Sequence, residues 1–196
     1  MNGYDFTERI RRILAYAREE AARLAAPFTD ADHFWLGLIL EREGVGAYVL
    51  ETLAVDLSAL RDDLETVMPR IESGTPARPD LPYTARAKRV LEHSMAVARD
   101  LHHPYVGSEH LVLGLLREGH SSGAGILADR GVTYEAAQKA LLRVLAMPDV
   151  PNEDRAANAR AVAAEIEVQM NDGTTRRQRF TSLREAVRFL AMHGLQ

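Results

Sequence analysis

Apolar residues recur every three or four positions along most of the first 146 residues, with charged residues between them, and this spacing predicts helices. The pattern predicts four helices before residue 70 and four more after residue 83. The second helix of each set is almost wholly apolar, so we expect it to be buried. In the later set this helix follows a Val-Gly turn, with Ser108 as its predicted N-cap and Glu109 in its positively polarised first turn.

An offset of 77 residues relates the two sets of helices. It matches these pairs: His33 with His110, Thr7 with Thr84, Pro27 with Pro104, and Leu50 with Leu127. Because the offset holds without a gap over about 120 residues, the sequence predicts an internal repeat of a four-helix unit. Each unit has more apolar faces than four short helices can bury, so we expect one pseudo-twofold domain of eight helices. Gly37 and Gly114, inside the buried helices, predict close crossings by another helix.

The predicted fold class is mainly α, with a small C-terminal unit of a different pattern. The predicted segments are a helical domain (1–147, with repeats at 5–70 and 83–146 and a linker at 71–82), a second linker (148–160) and a tail (161–196). The first linker is rich in proline and loses the apolar period. The second linker is polar over residues 149–157.

The tail is predicted to form a ββα unit. Apolar and polar residues alternate from 164 to 170, the turn signal Asn171-Asp172-Gly173 follows, and a return strand is predicted from 174 to 180. A capping box that begins at Ser182 predicts a final helix. Because a hairpin with one helix is marginally stable alone, we expect it to dock on the helical domain or to form a homodimer or other strand pair with another chain.

The composition narrows the class of protein. The formal net charge of -4 gives no general attraction to nucleic acid or anionic membranes, and no cysteine is present for disulfides or thiolate chemistry. The first twelve residues lack the apolar core of a signal peptide, and no apolar run approaches the length of about 20 residues that spans a bilayer. We therefore expect a cytoplasmic protein without nucleic-acid or membrane partners.

Three motifs resemble the duplicated N-terminal domain of Clp-type AAA+ unfoldases, the ClpC branch in particular. They are Phe6-Thr7-Glu8-Arg9, Tyr83-Thr84-Ala85-Arg86 and Tyr105-Val106-Gly107-Ser108-Glu109-His110. The resemblance covers residues 5–146. It implies a non-enzymatic module that binds substrate or adaptor peptides and, in the ClpC branch, proteins marked with phosphoarginine.

Several roles are consistent with this resemblance. The chain would act as an adaptor, a regulator or a ligand-sequestering decoy for Clp proteolysis, with Clp ATPase or protease components or adaptors as partners. The 196 residues contain no Gly-x-x-x-x-Gly-Lys-[Ser/Thr] phosphate loop, so they cannot hydrolyse ATP by the family's route, and no cofactor is expected. The alternatives are the N-terminal part of a truncated Clp ATPase, or a structural protein that oligomerises through its tail.

A phosphoarginine receptor needs N–H donors for the phosphate and a carboxylate for the guanidinium group. The resemblance implies one such site at Thr84, Ser108 and Glu109, and a second at Thr7 and Asp32. The second has drifted, because aspartate is shorter than glutamate and the preceding turn has lost its glycine, so we expect it to bind more weakly. The open alternative is that all five are ordinary helix caps or first-turn residues, and this is the favoured interpretation for Thr7 and Asp32.

The aromatic residues and histidines have simpler expected roles. Tyr83, with Phe6 at the equivalent position, is predicted to belong to an exposed apolar patch for peptides or to staple the helix start. The aromatic pair after His33 is expected in the core. His33 and His110 lack a third ligand at a sensible spacing, so no metal is expected and each should bond a neighbouring segment. His102 and His103 are predicted to form a surface pair.

Overall fold

The computed structural model describes residues 5–68, 81–146, 164–169 and 175–180. The chain divides into two compact units, Met1–Pro151 and Asn152–Gln196. The helices among the described residues are α1 (Glu8–Arg23), α2 (Ala31–Glu41), α3 (Val45–Thr52), α4 (Leu57–Val67), α5 (Ala85–Asp100), α6 (Ser108–Glu118), α7 (Ser122–Asp129) and α8 (Tyr134–Ala146). None of these helices is both long enough and apolar enough to cross a membrane.

The helices confirm the predicted duplication. Helices α1 to α4 begin at residues 8, 31, 45 and 57, and α5 to α8 begin at residues 85, 108, 122 and 134, so each start is shifted by 77 residues. The first helix of each repeat has a threonine N-cap, because the hydroxyls of Thr7 and Thr84 accept the N–H groups of Ile10 and Ala87. The repeats therefore share both their order of helices and their capping chemistry.

The two repeats share one hydrophobic core, as predicted. Buried residues from all eight helices form a single cluster, and α2 and α6 are buried along most of their length. Phe34 and Trp35 are fully buried, which confirms their assignment to the core. The indole N–H of Trp35 also donates to Ser121 Oγ at 3.1 Å, which joins the first repeat to the second.

Both buried helices cross their neighbours at a glycine. A Cβ on Gly37 would overlap the backbone oxygen of Ile13 in α1, and a Cβ on Gly114 would lie 2.7 Å from the backbone oxygen of Val90 in α5. These separations are shorter than real carbon contacts allow, so the helices could not approach so closely with a larger residue. The predicted close crossings are confirmed.

A short strand pair between the repeats was not predicted. Strand β1 (Asp5–Phe6) pairs in parallel with β2 (Tyr105–Val106), and an isolated parallel bridge joins Thr29 to Tyr83 at the equivalent place. Two residues are too few to show a period of two in the sequence, so these pairs left no detectable pattern.

The described part of the second unit is an antiparallel hairpin. Strand β3 (Ala164–Gln169) pairs with β4 (Thr175–Phe180), with Ala164 opposite Phe180 and Gln169 opposite Thr175. The predicted strands agree with these bounds to within one residue at each end. The predicted turn at 171–173, the final helix, the linker at 148–160 and the linker at 71–82 up to residue 80 lie outside the described residues.

Candidate functional site

The strand pair and the bridge set the first helix of each repeat beside the second helix of the other. The N–H of Thr7 donates to the carbonyl of Val106 at 3.1 Å, just before the start of α6. The N–H of Thr84 donates to the carbonyl of Thr29 at 3.1 Å, just before the start of α2. We call the first place the α6 site (Thr7, Gly107, Ser108 and Glu109) and the second the α2 site (Thr84, Asp30 and Asp32).

This arrangement corrects the predicted pairing of site residues. The sequence prediction assigned Thr84 and Glu109 to one site and Thr7 and Asp32 to the other, so that each site lay within one repeat. However, Arg89 in α5 bonds Glu118 at the far end of α6 at 2.9 Å, so the start of α5 lies about one helix length, about 16 Å, from Glu109. The sites form across the repeats because α5 and α6 pack antiparallel.

In the α2 site the polar groups bond one another. The hydroxyl of Thr84 donates to Asp30 Oδ1, and the guanidinium of Arg86 lies 3.6 Å from Asp30 Oδ2. Asp32 is buried, and its Oδ1 accepts the N–H of Gly123 at 2.9 Å in the first turn of α7. Asp32 therefore joins the two repeats in addition to lying at the start of α2.

In the α6 site, Ser108 is not the N-cap. Gly107 takes that position, and Ser108 is the first residue of α6, fully buried, with its Oγ accepting the N–H of Gly46 at 3.0 Å. The prediction of a Ser108 cap is wrong, because the Ser108 hydroxyl accepts an N–H from the other repeat and not from its own helix. Ser108 and Asp32 thus play matching roles at the starts of α3 and α7.

Glu109 is buried against the glycine turn. It is 1% exposed, and a Cβ on Gly107 would lie 2.5 Å from its Oε2. Glycine at 107 therefore leaves room for the carboxylate to fold back over the start of its own helix. In the first repeat, Asp30 occupies the equivalent position, so the same fold-back is not available there.

A histidine completes the start of each buried helix. The Nδ1 of His33 accepts the N–H of Asp30 at 2.9 Å, and the Nδ1 of His110 accepts the N–H of Gly107 at 2.8 Å. The predicted bond to a neighbouring segment is confirmed for His110, which also contacts His103, whereas His33 bonds the N-cap of its own helix. Burial lowers the pKa of His33, and burial together with nearby His103 lowers the pKa of His110 to about 3.

His103 was wrongly predicted to lie with His102 on the surface. It is half-buried, its Nδ1 lies 2.9 Å from His110 Nε2, and its ring stacks on Tyr105 with centroids 5.4 Å apart. Burial and neighbouring His102 lower the pKa of His103. The sequence signal that could have located this contact is position 26, where the first repeat has alanine in place of the histidine.

Among the described residues, His103, Glu109 and His110 form a group whose potential ligand atoms lie within 4.8 Å of one another. A metal ion would need a lone pair from His110. Its Nδ1 already accepts the N–H of Gly107, so its proton lies on Nε2, which points at His103. In this state neither nitrogen of His110 has a lone pair to offer, and the group is a hydrogen-bonded network.

The predicted peptide patch is only partly exposed. Tyr83 is half-buried, with its ring edge-on to Phe34 at 5.5 Å and the guanidinium of Arg18 lying 5.0 Å from its centroid. Burial raises the pKa of Tyr83. Phe6 packs partly buried against the core. Phe28, which precedes Thr29 in the sequence, is 50% exposed and was not among the predicted patch residues.

One described cavity lies away from both sites. It has a volume of about 560 Å³ and lies among α5, α6, α7 and α8, where Asp100, Arg117 and Tyr134 contribute to its lining. It includes none of the predicted site residues. This cavity therefore lies apart from both cross-repeat sites, whose residues Thr7, Asp32, Ser108 and Glu109 are buried.

The chain matches known proteins over most of its described length. The family model for the Clp repeat (R) N-terminal domain matches residues 5–130 and 82–165. The ATP-dependent Clp protease ATP-binding subunit ClpC of Staphylococcus saprophyticus is 37% identical over 175 residues, which cover 86% of this chain and 21% of the relative. The chaperone protein ClpB of Oceanobacillus iheyensis is 39% identical over 140 residues, 71% of this chain and 17% of the relative.

Solved structures show the same fold. The N-terminal domain of the chaperone ClpD from Arabidopsis thaliana has a TM-score of 0.58 and 23% identity, and covers 71% of this chain and 94% of that chain. The Hsp104 N-terminal domain from Candida albicans has a TM-score of 0.61 and 18% identity, with 74% and 95% coverage. The chain spans about a fifth of the length of the curated relatives that it matches.

Proposed function

Because the chain belongs to the Clp repeat (R) N-terminal domain family, we propose that it is a non-enzymatic module that binds proteins. Its ligands would be substrate or adaptor peptides, or proteins marked with phosphoarginine. The relatives that it matches include an ATP-binding subunit of the Clp protease, and this supports a role in Clp proteolysis as adaptor, regulator or decoy.

One observation carries the proposal: a helix N-terminus with an acidic first turn meets a capping threonine of the other repeat, twice. The N–H groups at the start of a helix attract a phosphate, and a carboxylate beside them attracts a guanidinium group. Phosphoarginine carries both groups within one side chain. In support, the N–H of Thr7 donates to Val106, three residues before Glu109, and the N–H of Thr84 donates to Thr29, three residues before Asp32.

The proposal is tested with the purified chain and three small ligands. Free phosphoarginine should bind, whereas arginine and inorganic phosphate at the same concentration should bind much more weakly, because each offers half of the recognised group. Calorimetry measures all three. Equal affinity for phosphate and phosphoarginine would contradict recognition of the whole side chain.

A pull-down from lysate tests the larger ligand. The chain should capture proteins from native extract and lose them when arginine phosphates are first removed. Capture that is unchanged by this treatment would favour unmodified peptides or Clp adaptors as ligands. Detectable ATP hydrolysis by the purified chain would contradict the non-enzymatic role.

Two alternative functions are consistent with the length of the chain and with its C-terminal hairpin. The sequence could be the N-terminal portion of a Clp ATPase, since it spans about a fifth of its relatives. Alternatively, a structural role would use the hairpin of β3 and β4 for oligomerisation. Tight self-association without any binding of peptide or phosphoarginine would favour the structural role.

A further inference from the structure

The two repeats differ in what lies beside their equivalent histidines. His110 has His103 beside its Nε2, whereas Ala26 takes the position of His103 in the first repeat. His33 Nε2 is buried and has no hydrogen-bond partner among the described residues. The α6 site therefore has a support that the α2 site does not have.

The hydrogen bonds at His110 fix the positions of the protons. Its Nδ1 accepts the N–H of Gly107 at 2.8 Å, so the ring proton is on Nε2. That N–H then donates to His103 Nδ1 at 2.9 Å, and His103 must carry its own proton on Nε2. The chain of bonds runs in one direction, from Gly107 through His110 to His103.

The rings also join three elements. Tyr105 in β2 stacks on His103, and its ring is edge-on to His110 with centroids 5.7 Å apart. His103 follows the end of α5, and His110 lies in the first turn of α6. Val106 in β2 also accepts the N–H of Thr7. The same cluster therefore supports both parts of the α6 site, Thr7 from the first repeat and the turn at Gly107 from the second.

We propose that His103 is a positioning residue for the α6 site, acting through His110, and that a proton on His103 releases this support. The ligand part of this inference rests on the proposed function, whereas the structural part does not. A proton on His103 Nδ1 places two N–H groups face to face across 2.9 Å. The bond becomes a repulsive contact, and the turn at Gly107 loses its fixed position.

The direction of the pH effect follows from the groups that face the pair. Glu109 Oε1 lies 3.3 Å from His110 Nδ1 and favours a charged ring, while exposed His102 disfavours a charge on His103. Tyr105 presents its aromatic ring to both histidines, and Gly107 presents its N–H to His110. Burial and the charge of His102 lower the pKa of His103, and burial and the charge of His103 lower the pKa of His110, so both pKa values lie below the unfolded value of 6.5. The support is complete above pH 6.5 and is lost as pH falls through the lowered values.

The test follows the two sites separately by amide NMR during titration with free phosphoarginine at pH 7.5 and at a lower pH, chosen so that the ring nitrogen shifts show His103 to be protonated. The affinity of the α6 site should fall about fivefold or more at the lower pH, as expected for one lost hydrogen bond. The α2 site sees the same ligand and has Ala26 in place of the titrating histidine, so it corrects for protonation of the ligand itself. An equal change at both sites overturns the proposal.

Three variants separate positioning from general folding. In His103→Asn the amide oxygen takes the place of Nδ1, accepts from His110 and does not titrate, so affinity should be retained and its pH dependence lost. His103→Ala should lower affinity at the α6 site about fivefold at both pH values. The variant Ala26→His should give His33 an acceptor and introduce pH dependence at the α2 site. A pH profile of His103→Asn identical to wild type would overturn the proposal.

A ligand-free readout keeps this inference apart from the proposed function. Ring nitrogen shifts of His103 and the amide shift of Gly107 should change together as pH is lowered. If phosphoarginine binds at no pH, the proposed ligand is wrong, and the coupled shifts alone then decide the inference. Titration of His103 without any movement of the Gly107 amide overturns it.

Discussion

Asp30 and Gly107 occupy equivalent positions before the two buried helices and make the two sites chemically different. Asp30 accepts a hydrogen bond from the Thr84 hydroxyl and lies near the guanidinium of Arg86. A ligand at the α2 site must therefore replace these contacts within the protein. Gly107 has no side chain to form such bonds and leaves space for the Glu109 carboxylate. We therefore expect the α6 site to bind phosphoarginine more tightly.

Matched amide substitutions test this asymmetry. Glu109→Gln and Asp32→Asn each remove one negative charge and keep the shape of the side chain. A charge-assisted bond to the ligand contributes about 1.5–3 kcal/mol, so we expect Glu109→Gln to weaken total binding about tenfold or more. Asp32→Asn should have a smaller effect. Calorimetry with free phosphoarginine measures both.

The melting temperature of each variant serves as the control, because Glu109 is buried and Asp32 holds the N–H of Gly123. The asparagine oxygen can still accept that N–H, so Asp32→Asn should stay folded. If Asp32→Asn loses more affinity than Glu109→Gln while both remain folded, the expected asymmetry is wrong.

At the residue scale, the sequence predicted core positions well and polar contacts poorly. Trp35 was assignable because its helix has almost no polar face. Ser108 and His103 were not, since their partners, Gly46 and His110, depend on how the repeats and turns pack. A serine before an apolar run has the same local signature whether it caps its own helix or bonds another segment.

At the element scale, the crossing of α1 by α2 yields a paired prediction. Gly37→Ala would force a Cβ into the backbone of Ile13, which cannot rotate away, so we expect a loss of about 2–3 kcal/mol in the free energy of unfolding. Gly125→Ala is the matched control inside helix α7. Nothing lies within 4 Å of its added Cβ, and we expect a gain of up to about 1 kcal/mol.

Urea denaturation followed by circular dichroism measures both changes. The opposite signs are the essential result, because both variants exchange glycine for alanine within a helix. If Gly37→Ala were as stable as the wild type, α1 and α2 would have to separate easily, contrary to the close crossing. A destabilised Gly125→Ala would instead show that α7 is packed against something outside the described residues.

Helices were predictable where an apolar period and a cap coincide, as at Thr7 and Thr84. The strands β1 and β2 were not, because each has two residues and their pairing joins segments about a hundred residues apart in sequence. Short pairings of this kind depend on the packing of the helices around them. They nevertheless decide which residues share a site.

At the scale of the whole molecule, the repeat predicted two equivalent sites but not their composition. A constant offset shows that the halves are alike, and it is equally compatible with sites formed within or across them. The packing of α5 on α6 decides between these arrangements, since it separates Thr84 from Glu109 and leaves each threonine beside the other repeat. Contacts between repeats, such as that of Trp35 with Ser121, then hold the two halves in this arrangement.

The described part of the C-terminal unit is a two-stranded hairpin. The buried core includes residues from all eight helices, and the chain divides at residue 151 into two compact units. A two-stranded hairpin has two open edges and is marginally stable alone. We therefore expect the tail either to pair strand to strand with a second copy or to receive a strand from a partner.

Deleting residues 158–196 tests whether the tail pairs with another chain or instead stabilises the helical unit. The shortened chain should keep its helical circular dichroism and its melting temperature, because its core residues all remain. If the full-length chain is a dimer by light scattering, the shortened chain should be a monomer, since the edges of β3 and β4 are removed. Loss of helical structure on deletion would show that the tail stabilises the helical unit, and a dimer that persists would place the dimer contact on the helices.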